Sequence, residues 1–119
     1  MAQYMILIWE TPGRFAETPP EQMMEIVGKY RAWSEKLAAN GQFVSGERLG
    51  GDPGKVIDGA QNNTVTDGPF VETKELIGGF YIISAENYNE ACEIANGCPH
   101  LELGGRLEVR EIMQMGPPQ

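Results

Sequence analysis

The residues of this sequence best suited to acid-base chemistry are a histidine and an aspartate that lie far apart along the chain. His100 is the only histidine among 119 residues, and imidazole is the side chain that exchanges protons most readily near neutral pH. Asp67 lies in the run TDGPFVETKELIGGF, residues 66–80, where the following proline would hold its carboxylate rigidly. If the fold brings them into one cleft, Asp67 and His100 form a catalytic acid-base pair.

Both residues also have a structural interpretation. An aspartate before a glycine commonly accepts hydrogen bonds from the main chain of its own turn, while Gly68 takes a positive φ and Phe70 anchors the loop in the core. His100 follows Pro99, where it could cap the end of a helix or face solvent. The sequence leaves both interpretations open for each residue.

The same run carries candidate ligand-binding residues. Glu72, Lys74 and Glu75 form its charged part, and surface ion pairs of this kind contribute only about 0–1 kcal/mol to stability. They could orient the loop or contact a partner subunit. Because loops often carry function, Phe70, Glu72 and Lys74 are retained as candidate ligand contacts.

Glu47 and Arg110 complete the set of candidate ligand-binding residues. Each lies in a predicted strand, where a charge that faces inward is costly unless it is paired. We expect the two side chains either to pair with each other or to form a polar floor for a cleft.

The elements that must position these residues begin with a strand and a helix. The run QYMILIW, residues 3–9, is almost continuously apolar and predicts a strand buried on both faces. Apolar residues at helical spacing predict a helix from near residue 20 to the stop signal at Asn40. Three further short strands are predicted at residues 42–49, 55–59 and 63–66.

In the second half of the chain, a helix is again predicted between two strands. Gly78 and Gly79 precede a predicted central strand at residues 80–85. Residues 86–98 predict a helix, and the alternation in residues 104–115 predicts a last strand. Strand, helix, two or three strands, helix and strand amount to the plan β-α-β-β-α-β of a ferredoxin-like α+β fold, in which two helices cover one face of an antiparallel sheet.

The first strand predicts a dimer, because it is apolar on both faces and the helices cover only one of them. The expected cover for the bare face is a second copy of the chain, packed sheet to sheet in a symmetric dimer.

The composition argues against several kinds of partner. With 17 acidic and 9 basic side chains, the net charge of -8 would repel nucleic acid and an anionic membrane surface. No apolar run approaches the roughly 20 residues that span a bilayer, and the first residues lack signal-peptide features, so we expect one cytoplasmic domain over residues 1–119. Two cysteines and one histidine do not supply a zinc site, and nucleotide-binding glycine patterns are lacking, so neither a metal nor a cofactor is expected.

The run VTDGPFVETKELIGGFYII, followed by CPH and GGRLEVREI, resembles the YCII-related superfamily in its DGPF-domain branch. The resemblance covers nearly the whole chain and implies a ferredoxin-like fold that dimerises into a barrel-like pair of sheets. Some members of that superfamily look like lyases or dehalogenases that use a His-Asp pair, with the histidine on the first helix. The corresponding segment here, EQMMEIVGKYRAWSEKL, contains no histidine, so that pair is not carried over.

Two functional hypotheses follow from the sequence. The first is a dimeric protein that binds a small molecule or serves as a regulatory accessory protein. The alternative is a cofactor-free enzyme of the lyase, isomerase or dehydrochlorinase type, in which Asp67 and His100 are the acid-base groups.

Overall fold

In the computed structural model, which describes residues 1–68 and 75–115, four strands form one antiparallel sheet. These strands are β1 (Ala2–Glu10), β2 (Phe43–Arg48), β5 (Leu76–Ala85) and β6 (Arg106–Glu111), and a separate hairpin consists of β3 (Lys55–Asp58) and β4 (Thr64–Asp67). The sheet order is β2-β5-β1-β6. With its two main helices, the chain has the predicted ferredoxin-like α+β fold, and the hairpin is inserted between β2 and β5.

The helices are α1 (Pro20–Ala39), α2 (Tyr88–Ala95) and the short α3 (Pro99–Glu102). Proline at the first position of α1 suits a helix start, and the chain leaves the helix at Asn40 and Gly41, where Gly41 has a φ of 71°. Both main helices were predicted, whereas α3 was not, because four residues are too few for a periodic pattern. None of the helices in the described ranges has the length and apolar character needed to cross a bilayer.

The core lies between the helices and one face of the sheet. Alternate residues of β1 point to this face, where Ile6 is fully buried and pairs in register with Tyr81 of β5. Trp33 and Leu37 of α1 pack against the same cluster. The helical spacing of apolar residues therefore predicted which side of α1 is buried. One apolar residue of that pattern is an exception, because Val27 is 47% exposed.

The other face of the sheet, which we call the open face, is not covered by helices. Its centre is formed by the half-buried residues Met5, Leu7, Phe80 and Ile82, which are paired across β1 and β5. The expectation that both faces of β1 are buried is therefore met on one face only within a single chain.

The strand β5 is longer than predicted, because Gly78 and Gly79 lie inside it rather than before it. Both glycines are buried where neighbouring strands approach closely. A Cβ atom at Gly79 would lie 2.8 Å from the Glu47 carbonyl oxygen, and one at Gly78 would overlap the Glu10 side chain. The glycine pair thus permits β5 to pack closely against β1 and β2.

Candidate functional site

A cavity of about 250 Å³ lies between α1 and the helix-covered face of the sheet. We call it the inner cavity. Its apolar wall includes Ile8, Phe15, Met23, Ile26, Val27 and Phe43. Three strand residues without side chains, Gly46, Gly78 and Gly79, also line it. These three positions contribute main chain and no side chain to the cavity wall.

One end of the inner cavity carries hydroxyl groups. Ser34 Oγ lies 2.9 Å from the Tyr30 main-chain oxygen and 2.8 Å from the Tyr81 hydroxyl. A carbonyl oxygen can only accept, so Ser34 donates its single hydrogen to it, and Tyr81 donates to Ser34. The Tyr81 oxygen is then left as an acceptor.

The phenols at this end are not suited to act as bases near neutral pH. Burial raises the pKa of Tyr81 above its ordinary value of 10.0, and the hydrogen bond with Ser34 opposes that shift in part. Burial is also the main cause that raises the pKa of Tyr30. Both side chains therefore stay protonated and act as neutral polar groups.

A guanidinium group also lines the inner cavity, two residues along β2 from Gly46, which pairs with Tyr81. Arg48 Nη2 donates to Glu10 Oε1 at 3.0 Å and approaches Oε2 at 3.3 Å, and the Arg48 guanidinium lies 5.4 Å from the centre of the Phe15 ring. Arg14 lies 5.6 Å from the same ring. These contacts hold Arg48 by an ion pair and a cation-π interaction.

Arg48 and Phe15 separate the inner cavity from a larger, more open one of about 780 Å³. We call the larger one the outer cavity. It is lined by residues 9–16, 48–54 and 75–78. Both side chains line both cavities, and we call this shared boundary the passage.

Asp67 and His100, the predicted acid-base pair, lie in different surroundings. The Asp67 side chain is 82% exposed at the end of the β3–β4 hairpin and pairs with Lys55. The His100 side chain is buried, with Nε2 2.6 Å from the Trp9 main-chain oxygen. The two share no hydrogen bond in the described ranges, and neither lines the inner cavity. Their catalytic role stays a prediction.

Of the predicted ligand contacts, Phe70, Glu72 and Lys74 lie outside the described residues. Glu47 lines the inner cavity, so a binding role for it remains a prediction. Glu47 and Arg110 lie on β2 and β6, the opposite edges of the sheet. The prediction that they pair with each other within one chain is therefore wrong, because two strands separate them and both residues are exposed.

Apart from Glu47, the polar residues that line the inner cavity were not predicted from the sequence as binding residues. Tyr30 and Ser34 are four residues apart on the apolar side of α1, a spacing that places both on one helical face. Arg48 ends β2 next to a glycine-rich loop. Among residues 1–68 and 75–115, no three His, Cys, Asp or Glu side chains group as the ligands of a metal ion would.

Comparison with known proteins gives a family and a fold. A sequence profile of the YCII-related domain matches residues 2–116. No curated protein matches the chain. Among solved structures, one that is similar is 5-chloro-2-hydroxyhydroquinone dehydrochlorinase (TftG) from Burkholderia phenoliruptrix AC1100, in complex with 2,5-dihydroxybenzoquinone. It has 19% sequence identity and a TM-score of 0.55 over 96% of this chain and 95% of that chain. At this identity the similarity shows a shared fold.

Proposed function

The chain belongs to the YCII-related domain family, and from the geometry of its inner cavity we propose that it binds a small organic compound of about one ring. The observation that carries this proposal is a mostly apolar cavity of about 250 Å³ whose wall also carries hydroxyl groups and a guanidinium. Pockets for drug-sized ligands hold about 300–1,000 Å³. The inner cavity therefore suits a smaller molecule.

The comparison with TftG supports the proposed ligand size. That protein shares the fold and was solved with 2,5-dihydroxybenzoquinone, a compound with a single ring.

Binding fits the chemistry of the inner cavity better than catalysis does. Its phenols have raised pKa values and stay protonated, and its guanidinium is a permanent cation. These groups orient a ligand and do not take up protons near neutral pH. We therefore favour a ligand-binding or regulatory accessory protein, and the cytoplasmic location stays a prediction from composition.

A cofactor-free enzyme is the second candidate. It is favoured by the shared fold with a dehydrochlorinase. Its acid-base groups would be Asp67 and His100, and the Asp67 carboxylate is open to solvent. Mass spectrometry of 5-chloro-2-hydroxyhydroquinone, the compound in the name of that dehydrochlorinase, after incubation with the protein distinguishes the two functions. A dehydrochlorinase removes HCl from it faster than a protein-free control does, whereas a binding protein leaves its rate of loss unchanged.

The binding proposal is tested by filling the mouth of the inner cavity. Val27 lines the cavity, whereas Met24, on the same helix, is 75% exposed and does not line it. Ligand-observed NMR with phenol, benzoate and benzamide is expected to show binding to the wild type and to Met24→Trp. Binding to Val27→Trp is expected to be at least about tenfold weaker, because the indole occupies the ligand's space. If the wild type binds none of these probes, or if Val27→Trp binds them equally well, the proposal is wrong.

We also propose that the open face packs against a second copy of the chain. The face is apolar at its centre, with Leu7 paired beside Phe80, and the chain is only 19 Å across its shortest axis, about the depth of a sheet plus one layer of helices. In a sheet-to-sheet pair whose two-fold axis runs along the strands, the sheet order β2-β5-β1-β6 places β1 of one copy over β5 of the other, so the two apolar centres cover each other.

A further inference from the structure

We propose that the ligand of the inner cavity carries an acidic group, which the guanidinium of Arg48 binds at the passage between the inner and outer cavities. This inference rests on the proposed binding function and adds the chemical class of the ligand.

The position of Arg48 is the first reason. It lies in β2 opposite Gly79 and two residues after Gly46, and both glycines line the inner cavity. Strand alternation therefore directs Arg48 to the helix-covered face. Among the described residues, it is the only lysine or arginine that lines the inner cavity.

The hydrogen bonding of Arg48 is the second reason. A guanidinium has five N–H donors, and within the described ranges only Nη2 donates, to the two oxygens of Glu10. The Arg48 side chain is 53% exposed, whereas that of Glu10 is only 13% exposed. The remaining donors are thus accessible, while Glu10 and the Phe15 ring hold the group in place. A fixed guanidinium with free donors suits a carboxylate, which it can bind through two parallel hydrogen bonds.

The local charge is the third reason. Arg14 and Arg48 flank the Phe15 ring, and Glu10 supplies one negative charge against their two positive ones. Two guanidinium groups therefore lie together at the passage, although the whole chain has a net charge of -8. Glu47 of the inner cavity precedes Arg48 in β2, where strand alternation directs its side chain to the open face. Of the other acidic residues that line the outer cavity, Glu75 is paired with Arg106 and Asp52 lies in the β2–β3 loop.

The hydroxyl end adds a second requirement. Because Tyr81 donates its hydrogen to Ser34, the lone pairs of the Tyr81 oxygen remain free to accept a hydrogen bond. A ligand that reaches both Arg48 and Tyr81 should therefore carry a hydrogen-bond donor where it meets the Tyr81 oxygen. The preferred class is therefore a ring acid, with a hydroxyl group as an additional contact.

The test compares two probes of nearly the same shape, benzoate and benzamide. The wild type is expected to bind benzoate at least about tenfold more tightly, measured by NMR titration at fixed ionic strength. Arg48→Met is expected to weaken benzoate binding at least about tenfold and to change benzamide binding less than about twofold. Arg31→Met is the matched control. It also changes the net charge from -8 to -9, but Arg31 is exposed on α1 and does not line the cavity.

The outcomes separate this inference from the proposed function. If the wild type binds both probes equally, or if Arg48→Met weakens both equally, the acidic-group inference is wrong and the binding proposal stands. If neither probe nor phenol binds to the wild type, both proposals are wrong. Should Arg48→Met fail to fold, Arg48→Lys replaces it. It keeps the charge opposite Glu10 but lacks the fork of donors, so benzoate binding is expected to fall several-fold and benzamide binding to stay unchanged.

Discussion

The Nε2 nitrogen of His100 lies 2.6 Å from the main-chain oxygen of Trp9. Because this oxygen can only accept, Nε2 carries a hydrogen and donates it. Nδ1 is buried and has no hydrogen-bond partner among the described residues. These contacts attach the only imidazole of the chain to the end of β1 and support its structural interpretation.

The packing of Gly105 against His100 predicts a loss of stability on substitution. A Cβ atom at Gly105 would overlap the His100 ring, so Gly105→Ala is expected to lower the free energy of unfolding by about 1–3 kcal/mol. Gly28→Ala is the control, because nothing lies within 4 Å of its added methyl group in the middle of α1. It is expected to raise stability by about 0.5–1 kcal/mol. Urea unfolding of both variants measures the difference, and equal stabilities would contradict the described packing.

Asp67 is expected to contribute little to stability. Its ion pair with Lys55 joins two largely exposed side chains, so Asp67→Asn is expected to change the free energy of unfolding by less than about 1 kcal/mol. The control is Glu102→Gln, which removes the exposed ion pair with Lys29 and is expected to change the free energy of unfolding by as little. Probe binding in the inner cavity is also expected to stay unchanged in Asp67→Asn. If the wild type converts 5-chloro-2-hydroxyhydroquinone and Asp67→Asn does so about a hundredfold more slowly at unchanged stability, the catalytic hypothesis is supported instead.

A charge at the centre of the open face is expected to separate the proposed dimer. Leu7 is half-buried there in the single chain, and Leu7→Glu would place a carboxylate within the sheet-to-sheet contact at a large desolvation cost. Sedimentation at micromolar concentration is expected to show about twice the mass of 13.1 kDa for the wild type. Leu7→Glu is expected to sediment with the mass of one chain. Met24→Glu, on the exposed side of α1, should behave as the wild type, and a monomeric wild type would contradict the dimer.

Stability is expected to fall in alkaline solution because of Cys98. Burial raises the pKa of its thiol from 9.0 to about 11, with hydrogen bonds from the His100 main chain and the Tyr30 side chain opposing the shift. As pH rises above 9, the unfolded chain therefore loses this proton before the folded chain does, and the unfolded state is favoured. Between about pH 9 and 11, this thiol accounts for a loss of roughly 1–3 kcal/mol.

Unfolding experiments at several pH values test this assignment. Cys98→Ala is expected to flatten the decline between about pH 9 and 11, although burial of Tyr30 and Tyr81 leaves part of it in place. Cys92→Ala, at an exposed position, should keep the slope of the wild type. A slope that is the same in Cys98→Ala and in the wild type would show that this thiol is not the cause.

Much of the fold was predictable because local patterns encode it. Residues 3–9 and the helical spacing of Ile26, Trp33 and Leu37 predicted β1 and α1, since side chains alternate along a strand and recur every 3.6 residues along a helix. The boundary of β5 was missed because Gly78 and Gly79 are typical loop residues in isolation. Their place inside a strand is explained by close neighbours that lie far away in sequence.

The sequence by itself determined the order of the elements and, through its motif, the family. Only the tertiary structure decided which side chains meet. The register that pairs Gly46 with Tyr81 and Arg48 with Gly79 creates the inner cavity and places a guanidinium at its passage. The same structure leaves Asp67 on an exposed hairpin and buries His100 beside Trp9. Such contacts depend on pairing between distant segments, and the local alternation of polar and apolar residues does not encode that register.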